Sequence, residues 1–195
     1  LDPFVHELGD LAGLATRARF GEGDGACGSH VEPGIAGRTA WTLRVQTGCE
    51  EGCSYCIIPL TRGRSRSRTV SDVVGEVGLV TRWGFREVAI TGVHLGSYGR
   101  DLEPPSDLLG LLRALSSCAW RASHREVNGR HASMRLRVSS LEPMDCPAAL
   151  VDLVAEDRAF APHFHLPLQH ASARVLEAMR RPYALAEYRQ LVDLV

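Results

Sequence analysis

Apolar residues along this chain switch repeatedly between a period of two and the helical period. WTLRVQT (41–47) alternates, with Leu43 and Val45 on one face, and predicts a strand. SDVVGEVGLVTRWG (71–84) has helical spacing instead. Val73, Val74, Val77 and Val80 recur, Ser71 is placed to cap the start, and Gly84 to end it. REVAIT (86–91) predicts a second strand, followed by the loop GVHLGSYGRDLEPP. SDLLGLLRALSS (106–117) predicts a second helix, and 118–133 reads as a polar excursion without clear period. MRLRVSS (134–140) alternates as a third strand, and CPAALVDLVAED (146–157) is helical. HFHLPLQ (163–169) predicts a fourth strand, with helices from Ser172 to Arg180 and from about Leu185 onward.

Strand, loop and helix repeated four times predict an α/β fold of parallel strands with crossover helices. Chemistry in such folds gathers at the carboxyl ends of the strands. The segments at those ends hold Cys49 to Cys56, Thr91 to Gly99, Ser139 to Glu142, and Gln169 with His170. Residues 1–37, including the glycine-rich stretch 21–37, predict a poorly ordered linker, so a folded core is expected over 38–195.

Composition changes this picture little. The 195 residues are 45% hydrophobic and 23% charged, ordinary for a soluble domain. No apolar run reaches the ~20 residues of a membrane span, and LDPFVHELGD lacks the order of a signal peptide. The expected compartment is the cytoplasm, where six cysteines suggest metal or redox chemistry rather than disulfides. A net charge of -1 means that any RNA binding must be local.

The strongest local signal is TGCEEGCSYCIIP (47–59), a Cys-x3-Cys-x2-Cys run of Cys49, Cys53 and Cys56. Structural zinc needs four closed ligands, commonly as paired Cys-x2-Cys units. The other cysteines, Cys27, Cys118 and Cys146, are scattered and read as small apolar or surface residues. Three thiolates on one loop suit a [4Fe–4S] cluster with one iron free of protein ligands.

That loop, at the end of a first strand, resembles the radical S-adenosylmethionine (radical SAM) superfamily. The resemblance implies a partial (β/α) barrel, truncated after about four βα units. It also implies that the open iron chelates SAM, and that one electron releases a 5′-deoxyadenosyl radical. Tyr55 holds the family's aromatic position near the adenine. Thr91, Gly92, Val93 and His94 occupy the strand end whose backbone contacts the methionine amino group. Glu142 matches an acceptor for the nucleoside or methionine part of SAM. Gln169 and Arg181 match further SAM contacts, Arg181 toward the carboxylate. Where the family carries Ser-Gly-Ser, this chain has His170, Ala171 and Ser172, of which Ser172 can still cap a helix. His163 and His165 lie on one strand face and read as barrel-lining histidines rather than a metal pair.

The loop TGVHLGSYGRDL resembles the methylthiotransferases acting on N6-threonylcarbamoyladenosine at position 37 of tRNA, in the anticodon loop. The implied cofactors are one [4Fe–4S] cluster and SAM. The implied partners are tRNA and a cellular reductant. Full members also carry an N-terminal domain with an auxiliary cluster, further barrel strands and a C-terminal RNA-binding module. The present sequence therefore reads as an incomplete piece. The alternatives are a methylthiotransferase for isopentenyladenosine or a ribosomal protein, and a non-catalytic zinc-binding RNA adaptor. In TRGRSRSR (61–68), alternating Arg62, Arg64, Arg66 and Arg68 read either as a phosphate-contacting strip or as a solvated loop that seals the cluster.

Overall fold

A computed structural model describes residues 39–123, 126–127, 130–131 and 134–195. The expected linker over 1–37, with Cys27, lies outside the described residues.

Three parallel strands form the centre of the molecule: β1 (Ala40–Thr47), β3 (Glu87–Gly92) and β6 (Arg135–Val138). A two-residue strand, β2 (Arg66–Ser67), runs antiparallel to β1, giving the order β2-β1-β3-β6. Leu43 and Val45 of β1, Val88 and Ile90 of β3, and Leu136 and Val138 of β6 are all buried on one face. Helices α2 (Val70–Arg82), α3 (Leu108–Ser123) and α4 (Ala148–Glu156) contribute to the same core through Val73, Val77, Val80, Leu111, Leu112, Leu115, Leu150 and Val154. Strand periodicity puts Arg44, Gln46 and Thr91 on the opposite, more polar face.

Three expectations about elements need correction, and one element was not expected. Helix α2 is capped by Thr69, whose hydroxyl accepts from Asp72 N–H at 3.2 Å, rather than by Ser71. Helix α3 runs to Ser123, into the stretch read as a polar excursion. Beyond it lies a small hairpin of β4 (Glu126–Val127) and β5 (Arg130–His131). The stretch 163–169 forms no strand. Among the described residues its one β-bridge to the β6 side joins His165 to Ser140, and a second bridge nearby joins Phe160 to Leu136. Pro167 within that stretch lacks the N–H a ladder needs. Finally, a short helix, α1 (Ile58–Arg62), follows the cysteine loop, started by Pro59 in its first turn.

Helices α5 (Ala173–Ala178) and α6 (Leu185–Leu194) lie close to expectation. Ser172 is the N-cap of α5 but makes no side-chain cap bond. Its own N–H donates to His170 Nδ1 at 2.9 Å. His163 and His165 are both exposed rather than core, and His165 Nδ1 pairs with the Ser140 hydroxyl at 2.7 Å.

Candidate active site

The cysteine loop leaves β1 through Gly48, whose φ of +74° only glycine adopts without strain. A Cβ there would meet the Arg64 carbonyl oxygen at 1.9 Å. The backbone of the cysteine loop therefore lies directly against that of residues 63–64, and Cys49 N–H donates to Gly63 O at 3.0 Å. Cys49 is buried, Cys53 and Cys56 half-buried, and all three are free thiols. Cys49 Sγ accepts from Glu51 N–H at 3.4 Å. Burial pushes the Cys49 thiol up. The chain alone therefore does little to favour its thiolate, and a bound cation would reverse that balance.

The far end of the sequence closes over this loop. Ser54 donates from its N–H to Met179 O at 3.2 Å and from its hydroxyl to Ala178 O at 2.8 Å. Arg181 Nη1 donates to Cys53 Sγ at 3.2 Å, and its Nη2 donates to Glu142. Burial alone would lower the Arg181 pKa. The bonds to Glu142 and Cys53 more than offset it and hold the guanidinium further into its charged form. Tyr183 lies under the same guanidinium at 5.7 Å, and its hydroxyl donates to Leu168 O at 2.6 Å. Tyr55 OH donates to Gln169 Oε1 at 3.4 Å. Gln169 and Arg180, neither a glycine, both sit at positive φ, 65° and 55°. Non-glycine residues in that region are sparse and concentrate at functional sites.

The structure thus brings together Cys49, Cys53, Cys56, Tyr55, Glu142, Gln169 and Arg181. Thr91 and Gly92 end β3 as expected. A Cβ on Gly92 would meet Leu95 Cδ2 at 2.8 Å and Gln46 Oε1 at 3.0 Å, so protein atoms already occupy its open side. The other loop glycines behave likewise. Gly96 faces the Asp145 carboxylate, and Gly99 at φ +83° faces the Ser106 backbone. Tyr98 OH donates to Arg68 O at 2.7 Å, and Asp101 accepts from Ser67 N–H at 2.7 Å. Tyr98 and Asp101 therefore hold the β2 edge.

Two features escaped the sequence reading. Gln46 is 1% exposed. Its Nε2 lies within 3.0 Å of Thr47 O, Gly48 O and the Ser65 hydroxyl, and its Oε1 accepts from His94 N–H at 2.8 Å. It ties together β1, the cysteine loop, the arginine loop and the strand-end loop. The second is a buried pair in which His94 Nε2–H donates to Asp145 Oδ2 at 2.7 Å, with Glu51 at 3.9 Å from Nδ1. The Asp145 hydrogen bond raises the His94 pKa against the opposing effect of burial. A glutamine within a strand and an aspartate 51 residues from its histidine carry no local sequence signal.

The donor set fits an iron–sulfur cluster with SAM better than one metal ion. Among the described residues no three His, Cys, Asp or Glu side chains converge as ligands of a single ion do. Thiolates on separate corners of a cluster stand further apart. Arg181 Nε is buried without a hydrogen-bond partner. A buried guanidinium N–H left unpaired is costly in a finished site and suits an anionic group such as a carboxylate. Cys118 and Cys146 pack with the core instead, and burial pushes the Cys146 thiol up to about 11.

The sequence profile of the Radical SAM superfamily matches residues 43–195. Among curated proteins, a tRNA-2-methylthio-N(6)-dimethylallyladenosine synthase of Alkaliphilus oremlandii is 37% identical over 150 residues, covering 77% of this chain and 29% of that protein. The protein of that name from Chlorobaculum tepidum is 35% identical over 165 residues, covering 85% and 34%. The chain thus spans about a third of the length of these relatives. Among solved structures, the radical S-adenosylmethionine methyltransferase TsrM from Kitasatospora setae, with cobalamin and a [4Fe-4S] cluster bound, superposes with a TM-score of 0.58 at 20% identity. That match covers 78% of this chain and 28% of that one, and it supports the partial α/β barrel fold.

Proposed function

This chain belongs to the radical SAM superfamily, and on that premise we propose that residues 38–195 are the radical-generating core of a tRNA methylthiotransferase. The observation that carries this reading is the closure of Arg181 onto Cys53 and Glu142, with its Nε left unpaired. Cys49, Cys53 and Cys56 hold the [4Fe–4S] cluster. Once bound there and reduced, such a cluster would supply the one electron needed to split SAM into methionine and a 5′-deoxyadenosyl radical. Arg181 binds the methionine carboxylate, and Glu142 fixes the guanidinium for that task. Tyr55 and Gln169, already joined to each other, flank the nucleoside. The backbone at Thr91 and Gly92 receives the amino group.

The substrate we propose is an N6-modified adenosine at position 37 of tRNA, methylthiolated at C2. The loop GVHLGSYGRDL supports the threonylcarbamoyl form. The names of the relatives favour the dimethylallyl form as the second reading. Most of that loop is committed to holding β2 and Asp145, so its likeness bears on the fold as well as on the substrate.

The first experiment is anaerobic reconstitution of the chain with iron and sulfide, followed by dithionite and SAM. About four irons per chain and release of 5′-deoxyadenosine are expected. Stoichiometric zinc with no SAM cleavage defeats the reading. Mass spectrometry of tRNA nucleosides from a strain lacking the full-length gene then separates the two adenosines.

A further inference from the structure

The four alternating arginines after the cysteine loop do not share one environment. Arg68 is turned inward, its side chain only 13% exposed, and Nη1 pairs with Glu76 at 2.7 Å while Glu76 also accepts from Trp41. Arg62, Arg64 and Arg66 are exposed. Among the described residues only Glu50 comes within ion-pair distance of any of them, at 3.7 Å from Arg64, with both side chains well solvated. A pair so exposed holds its arginine weakly. Three solvated guanidiniums in five residues contrast with a chain whose overall charge is -1.

Their backbone, by contrast, is fixed. Gly63 O accepts from Cys49 N–H, Arg64 O lies against Gly48, and the Ser65 hydroxyl contacts both Gln46 Nε2 at 2.9 Å and Ser97 at 2.9 Å. Arg66 lies on β2, in register with Thr47, two residues before Cys49. Charged side chains free in solvent on a backbone stitched to the site are what phosphate positioning requires. The side chains can follow a sugar–phosphate backbone while its register to the site stays set.

We propose that Arg62, Arg64 and Arg66 form a phosphate clamp for the backbone of an RNA, in fixed register with the cysteine loop. The clamp rests on the reading of the chain as an RNA-modifying enzyme and adds to it the surface through which the RNA is held. Arg68 is not part of it. Leu60, 88% exposed on α1 beside the strip, is the counter-indicator. An acidic protein partner would use that side chain, whereas phosphate contacts do not need it.

The test uses this chain and a fluorescein-labelled anticodon stem–loop RNA, with affinity followed by anisotropy across a salt series. Three phosphate contacts contribute a slope of about 2 in log K against log salt. A fourfold rise in salt should therefore weaken the wild-type complex about sixteenfold more than that of the triple variant R62Q/R64Q/R66Q. R62K/R64K/R66K should keep the slope, because point charges suffice for phosphate. Thermal midpoints of both variants, measured in parallel, show that each is folded. No stem–loop binding by the wild-type chain, an unchanged slope in the glutamine variant, or a lost slope in the lysine variant each overturns the clamp. So does Leu60→Ser weakening the RNA complex as much as the triple glutamine variant. Failure of the radical reading has a separate readout, absence of dithionite-dependent SAM cleavage by the wild-type chain.

Discussion

Arg181 reaches back 128 residues to donate to the sulfur of Cys53 at 3.2 Å, while its other terminal nitrogen holds Glu142. One guanidinium thereby joins the first strand end, the third strand end and the segment after α5. Its Nε–H is buried and unpaired, which leaves that donor available to an anion.

Replacing Arg181 with Lys should therefore not preserve function, since an ammonium cannot hold two partners in a planar fork. SAM affinity is expected to fall by one to two orders of magnitude, about 1.5–3 kcal/mol, the range for a hydrogen bond to a charged group. Anaerobic equilibrium dialysis with labelled SAM measures it. Wild-type affinity in Arg181→Lys would remove Arg181 from the proposed carboxylate contact.

Cys53→Ala should abolish stable cluster formation, because a cluster held by two thiolates on one short loop loses a corner. The expected signal is iron well below four per chain and loss of the cluster's broad visible absorbance. Cys146→Ala, at a buried position packed with the core, is the control and should retain its iron. Equal iron in the two variants would end the cluster assignment.

Much of this was readable in the sequence, and the reason differs by residue. The cysteine loop was readable because its three thiols are local in the sequence. β1, β3 and β6 were readable because Leu43 and Val45, Val88 and Ile90, and Leu136 and Val138 keep period two on a buried face. The stretch 163–169 was misjudged because its alternation is real but its pairing depends on a neighbour, and only the Ser140–His165 bridge forms. Glycines in a strand-end loop let a ligand approach the backbone closely. The structure instead fills that room with Gln46, Asp145 and Ser106. No local pattern announces which neighbour will occupy the space beside a glycine.

Gln46→Leu keeps the volume but removes one acceptor and one donor group from a buried node. Gly48 O, Ser65 and His94 N–H then lose a partner. Each buried group left unsatisfied costs about 1–3 kcal/mol, so the urea midpoint should drop clearly and iron uptake should fall with it. Gln46→Glu, which retains the acceptor for His94 N–H but removes the donor, should fall in between. An unchanged midpoint in Gln46→Leu would show that water satisfies these groups.

Two glycines of the cysteine loop give a matched pair. Gly48 has φ +74°, and an added Cβ would lie 1.9 Å from Arg64 O, a backbone atom that cannot rotate away. Gly52 lacks any neighbour within 4 Å of its ideal Cβ and has no positive φ. Gly48→Ala should separate the cysteine loop from residues 63–64 and lose the cluster, while Gly52→Ala takes up iron as the wild type does. Equal iron uptake in both alanine variants would mean that the close approach at Gly48 is not needed to shape the loop.

The His94–Asp145 pair predicts a pH dependence whose sign is fixed by the direction of its shift. The folded His94 pKa is raised above its ordinary value of 6.5, chiefly by the Asp145 hydrogen bond. The folded state therefore binds the proton more tightly than the unfolded chain does. The contribution is fully present below about pH 6.5 and fades as the pH rises through the raised folded value. Asp145→Asn removes the charge that holds the proton while keeping the side-chain volume. The difference in urea midpoint between wild type and Asp145→Asn should accordingly be largest in mildly acidic solution and shrink toward alkaline pH. Glu51, at 3.9 Å from Nδ1, adds to the same sign, so Glu51→Gln should shrink the difference only slightly. A wild-type advantage that stays flat across this window would mean that His94 is uncharged in the folded state and donates to Asp145 as a neutral imidazole.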